Sequence, residues 1–214
     1  VTGVKDLVKT IKQVKKIGVV IEEHFDASEF SQFNEYFPKH GYEVEYLSHL
    51  WGNPQLTFGS NPENNQIEFH VTVTKEIQTA DPNSYKGIIF IGAYAMDRLR
   101  YEEYPVKNQP NQAPTVNFLR KAVQHPTLKI GTICHSLWIF CADSSLIKGK
   151  KVTCAHNIIC DVENAGGDVQ FEGDQTADVI IDGNLISAKH PGVLDKFLEA
   201  FRNEIESINV EEKL

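Results

Sequence analysis

The residue best placed to do chemistry is Cys134. An apolar run, Leu128–Ile133, leads straight into it, and His135–Ser136 opens a helix-type segment at once. A strand that turns sharply into a helix behind a nucleophilic side chain is a nucleophile elbow. Helix N–H groups in such a turn favour a thiolate, so the sulfur is expected below its free pKa of ~8.5. The N–H of His135 is then free to meet an oxyanion. The residues alone leave a second reading open, in which Cys134 is a buried strand-end cysteine acting as a small hydrophobe.

Ligands of open α/β sheets gather beyond the carboxyl ends of the strands. Two more apolar runs end in polar groups: Lys16–Ile21 in Glu22–Glu23–His24–Phe25–Asp26, and Lys86–Ile91 in Gly92–Ala93–Tyr94–Ala95–Met96–Asp97. His190 follows a strand and precedes Pro191, where it could act as a base toward the thiol or be a solvated loop histidine. His24 and His156 sit at strand ends on the same rim and read as pocket-lining groups, with Tyr94 and Tyr104 at the mouth. His24, Asp26, Cys134 and His190 could bind a metal, but their spacing is not diagnostic, so no metal and no cofactor is expected. Glu22 and Glu23 read as surface acids, and Arg98 and Arg100 as partners of acids or of an interface.

These rims need a scaffold. Val4, Leu7, Val8, Ile11 and Val14 recur at helical spacing, which predicts an N-terminal helix over 1–15 ahead of one domain over 16–208. The short apolar runs suit buried parallel strands. A helix capped by Ser28 carries Phe30, Phe33 and Phe37 on one face, and Val44–Leu47 is the next strand. Ile67–Val73 alternates like an edge strand, and Glu102–Pro114 is a long loop of the kind that forms lids or contact surfaces. Ser136–Asp143 and Asn157–Ala165 read as helices around a strand at Lys151–Cys154. Asp182–Gly183–Asn184 is a hairpin turn between Val179–Ile181 and Leu185–Ala188, and Phe197, Leu198, Phe201 and Ile205 mark a last amphipathic helix. Strands alternating with helices predict a doubly wound α/β fold, a mostly parallel sheet with helices on both faces.

Bulk properties narrow the function classes. A chain of 214 residues fits one domain, and its formal charge of −8 gives no pull toward nucleic acid or anionic lipid. The four cysteines form no C-x-x-C pair, which speaks against thioredoxin chemistry and zinc ribbons. No apolar run approaches ~20 residues and no secretory pattern is seen, so a cytoplasmic protein with free thiols and no membrane span is expected.

The stretch I-C-H-S-L-W at 133–138 resembles the I-C-H-G-P elbow of the ThiJ/PfpI family, relatives of the class I glutamine amidotransferases. Gly149–Thr153, Asp161–Gly166, Asp182–Leu185, Pro191–Gly192 and Ile91–Arg100 resemble that family's other segments in the same order, over roughly residues 16–205. The resemblance implies a flavodoxin-like, class I glutamine amidotransferase-like α/β domain. It makes Cys134 the nucleophile with His135 beside it. Asp26 falls where the family has a protonated acid that bonds the thiolate. Asp97 falls where an acid reaches the histidine across a subunit contact, which implies a homodimer or higher homo-oligomer. The backbone of Ala93 and His135 would form the oxyanion site. The chain departs from the pattern at Asp26 and Asp97, both usually Glu, at Ala93 for Gly, at Ala155–His156 for Tyr–Pro, and at Ser136–Leu137 for Gly–Pro.

The expected function is therefore a cysteine-dependent hydrolase or lyase acting on small carbonyl or amide substrates, glyoxalase- or deglycase-like or amidase- or peptidase-like. The alternatives are a redox-sensing stress protein, in which Cys134 is oxidised rather than catalytic, and an inactive relative.

Overall fold

The computed structural model describes residues 14–63 and 67–211. The expected N-terminal helix lies almost wholly outside them; Lys15, its last residue, instead opens the first strand, β1, Lys15–Val20. Helix α1, Ala27–Lys39, leads to β2, Tyr42–Ser48, and the short β5, Lys75–Glu76, runs beside it. Next come β6, Gly87–Phe90, helices α2, Ala95–Leu99, and α3, Pro114–Gln124, and β7, Lys129–Ile133. The hairpin β12, Val179–Asp182, and β13, Leu185–Ala188, precedes the final helix α5, Leu194–Glu211. These seven strands form one sheet in the order β12–β13–β7–β6–β1–β2–β5, parallel throughout except for the hairpin.

The sequence dictates this sheet through burial. Every residue of β6 and β7 is buried, as a strand covered on both faces requires. Alternation along β6 separates the two layers. A Cβ on Gly87 would meet the Phe201 ring of α5, whereas Phe90 packs on Phe140 at 6.4 Å. Gly131 in β7 is likewise required by Phe197, whose ring would lie 2.7 Å from an added Cβ. The two glycines let the stacked pair Phe197–Phe201 sink onto the sheet. Full burial of each ring contributes about 1.5–3 kcal/mol. Helix α1 joins the same layer through Phe37, 6.2 Å from Phe201.

Four sequence expectations are corrected. The cap of α1 is Asp26, whose carboxylate accepts the Glu29 N–H at 2.7 Å, so the helix begins ahead of Ser28. The segment 67–73 does not edge the main sheet: β4, His70–Val73, pairs with β3, Leu56–Gly59, in a separate ribbon. The helix after Cys134 is a 3-10 run, Cys134–Ala142, and Asn157–Ala165 divides into a 3-10 turn, His156–Ile158, and the short α4, Ile159–Asn164. Two further two-stranded ribbons complete the rim: β8, Lys151–Val152, with β9, Asp168–Val169, and β10, Phe171–Glu172, with β11, Gln175–Thr176.

Candidate active site

Cys134 stands at the carboxyl end of β7 with φ +58. A non-glycine residue in this left-handed region costs roughly 1–2 kcal/mol, and such strain clusters at functional sites. The turn is over-determined. Buried Ser136 accepts the Ile133 N–H at 2.8 Å and donates back to the Ile133 carbonyl at 3.0 Å, and the Ala155 N–H holds the Cys134 carbonyl at 3.1 Å. His24 and Ala93, at the ends of β1 and β6, also have positive φ, +63 and +58. Three neighbouring strand ends thus carry strained non-glycine residues. At Ala93 the strain has no side-chain function to justify it. Ala93→Gly is expected to raise stability by about 0.5–1 kcal/mol, the left-handed penalty less the added freedom of the unfolded glycine; urea unfolding midpoints check this.

The acid beside the sulfur is Glu29, one turn into α1. It is fully buried; its Oε1 accepts the Gly92 N–H at 2.9 Å, and its Oε2 has no partner among the described residues. A Cβ on Gly92 would collide with that Oε2, so the strand end and the carboxyl are built around each other. Burial, then the nearby Asp26 charge, holds the Glu29 carboxyl well above the usual carboxylate range, which favours its protonated form. Asp26 is committed to capping α1; burial raises its pKa as well, against the pull of the Glu29 N–H.

The Cys134 thiol is pushed up to about 12, first by burial and then by Glu29, while the His135 N–H aimed at the sulfur pulls the other way. This is opposite to the sequence expectation. The cause is local: a 3-10 run begins at Cys134 itself, one N–H reaches the sulfur, and acids surround it. The resting group is a thiol.

The histidines divide by tautomer. His135 Nδ1 lies 3.1 Å from Asp97 Oδ1, an ion-pair approach without hydrogen-bond direction, and the contact forms within one chain. Its ring lies between Tyr94 at 5.8 Å and Trp138 at 5.7 Å. A proton on Nδ1, toward Asp97, leaves Nε2 as an acceptor. His190 is the reverse. Its Nδ1 accepts the Gly192 N–H at 2.9 Å, so its neutral ring carries the proton on Nε2.

Cys134 opens on a cleft of ≈ 710 Å³ lined also by His156, His190, Phe171, Thr176 and Lys189. His24 is exposed and does not line it. Tyr94 stays at the His135 edge, while Tyr104 lines a different cleft beside the 102–114 loop. Glu22, read as a surface acid, is 2% exposed and 3.7 Å from Arg98. Glu23 accepts the Gly59 N–H at 3.1 Å. Among the described residues no group of three His, Cys, Asp or Glu side chains could hold a metal, and no helix is long and apolar enough to cross a membrane.

The profile of the DJ-1/PfpI family matches residues 15–204. The chain belongs to the DJ-1/PfpI family. It is 28% identical over 184 residues to protein/nucleic acid deglycase 2 of Escherichia coli, covering 86% of this chain and 93% of that protein. Among solved structures, a two-domain protein of Anabaena variabilis with DJ-1/ThiJ/PfpI-like and ferritin-like domains superposes with a TM-score of 0.73 at 23% identity; the match covers 90% of this chain and 48% of that one, so the chain spans about half its length. A ThiJ/PfpI domain protein of Brachyspira murdochii gives a TM-score of 0.73 at 15% identity over 92% of this chain and 99% of that one. These two share the fold, which is the flavodoxin-like α/β arrangement.

Within this DJ-1/PfpI chain, Glu29 is the site residue that sequence reasoning misses. Its signal is present: Asp26-x-x-Glu29 places a glutamate one turn beyond the helix cap, on the same face. The pattern resembles a capping box, in which Glu29 would fold back on the Asp26 N–H. It does not, because the Asp26 N–H is taken by the Gly92 carbonyl.

Proposed function

We propose that the chain is a cysteine-dependent enzyme acting on small carbonyl or amide substrates, with Cys134 as nucleophile. The observation that carries this reading is the strained Cys134 turn, which opens on a cleft while the buried Glu29 carboxyl lies behind it. The sulfur adds to the carbonyl carbon; the S–C bond forms as the C=O π bond opens. The thiol proton goes to His135 Nε2, whose other nitrogen faces Asp97. The developing oxyanion accepts from the Ala93 N–H, which has no assigned acceptor among the described residues, and from His190 Nε2–H. Glu29, with its free Oε2, takes the role the family gives to the acid beside the sulfur, in place of Asp26.

The deglycase name of the Escherichia coli relative supports a carbonyl substrate. A homo-oligomer stays part of the proposal, but the Asp97–His135 contact does not require one. The test is turnover of methylglyoxal and of an activated amide by the wild type and by Cys134→Ser, with folding checked by circular dichroism. Turnover lost only in the variant supports the reading; equal turnover in both overturns it. The raised thiol weighs alike on catalysis and redox sensing, because both need the thiolate; the cleft on which Cys134 opens favours catalysis.

A further inference from the structure

The chain has four arginines, and three are matched by acids: Arg98 with Glu22, Arg120 with Asp143, and Arg202 with Glu206. Arg100 is in no ion pair with the described residues, and its Nη1 is buried without a hydrogen-bond partner. The guanidinium lies flat on the Trp138 ring, 3.6 Å from its centroid. Stacking holds the plane of the fork but satisfies none of its N–H donors. A half-buried cation with unused donors is costly unless something accepts from it.

Arg100 also lines a second cleft, of ≈ 450 Å³, which shares no lining residue with the cleft at Cys134; the buried Nη1 leaves the Nε and Nη2 edge of the fork, which has no hydrogen-bond partner among the described residues, to face a ligand there. Ser144 and Asn164, both exposed, supply neutral polar groups at its rim, and Cys141 lies beside them. Asp161 lines the same cleft, with one oxygen accepting the Trp138 Nε1–H at 3.1 Å. Its carboxylate fixes the indole edge, and hence the face on which Arg100 rests.

We propose that this cleft is a binding site for a small carboxylate, held by the Arg100 fork with Ser144 and Asn164 beside it. A planar carboxylate matches two parallel guanidinium N–H groups. The Asp161 charge on the rim favours a monoanion over a dianionic phosphate. The site stands apart from the proposed reaction, so it holds whether or not Cys134 is catalytic.

The probe is acetate, titrated into the wild-type chain at constant ionic strength with chloride as the balancing anion. The readout is the indole N–H resonance of Trp138, identified by its loss in Trp138→Phe; Trp51 is the other tryptophan and serves as the internal reference. A saturable shift of the Trp138 resonance alone is expected, with a dissociation constant of about 1–10 mM. Binding is expected to weaken at least tenfold in Arg100→Gln. Ser144→Glu, which adds a like charge at an exposed position and leaves the Trp138 stack untouched, is expected to weaken it to a similar degree. A wild type that does not respond, a response that survives both substitutions, or a response to phosphate and not to acetate would each overturn the proposal.

Discussion

At pH 7.5 Cys134 is expected to react with iodoacetamide about a hundredfold more slowly than a free thiol, and to keep gaining rate by roughly tenfold per pH unit up to about pH 11. Two effects oppose each other. A free thiol of pKa ~8.5 is about one-tenth thiolate at pH 7.5. A thiol held near 12 is ionised to a few parts in 10⁵, about three thousandfold less. The more basic sulfur is intrinsically more nucleophilic, and a Brønsted coefficient of about 0.4–0.5 restores a factor of about 30–50. The population effect wins. Cys160 is exposed and gives a reference peptide in the same digest. An alkylation rate that levels off below pH 7 would sink the prediction. It would mean that the Glu29 proton is shared with the sulfur and that the family's thiolate arrangement forms after all.

The architecture is legible because it rests on local pattern. Four buried residues in a row at Gly87–Phe90, five at Lys129–Ile133, and the Asp182–Gly183–Asn184 turn each declare themselves within a few residues. The elbow is legible for the same reason: strand, cysteine and turn are contiguous. What stays hidden depends on contacts between distant segments. Whether Glu29 turns back to its own cap or inward is decided by Gly92, 63 residues away, whose N–H it accepts and whose carbonyl takes the Asp26 N–H. Glu22 reads as a surface acid because its neighbours are polar, yet the strand end places it under Arg98. The direction of the Cys134 shift is hidden too. The sequence displays a helix start, but not that this start is a 3-10 run crowded by three acids. Arg100 is the converse case: a residue expected to pair with an acid or to line an interface meets no acid among the described residues.

Glu29→Gln is expected to be more stable than the wild type at pH 7.5, seen as a higher melting temperature, with the gap between the two widening as pH rises. The sign follows from linkage. The Glu29 pKa is raised in the folded chain, so the native state binds its proton more tightly than the unfolded state does. That contribution is fully present below the unfolded value of ~4.3 and is lost as pH rises toward the folded pKa, at about 1.4 kcal/mol per unit. Glutamine keeps an acceptor for the Gly92 N–H and cannot ionise, so the variant escapes this loss. The two proteins should therefore converge near pH 4.5 and separate as pH rises, which thermal melts at pH 4.5, 6 and 7.5 resolve. Glu29→Leu gives the contrast: it also cannot ionise, but it strands the buried Gly92 N–H, which costs about 1–3 kcal/mol. A Gln variant no more stable than the wild type at pH 7.5 would mean that Glu29 ionises in the fold without penalty. A Gln variant that is more stable yet slower in turnover would show why an acid is kept where an amide fits better: its proton is of use only if it can move to or from the neighbouring sulfur, and stability is given up to keep it there.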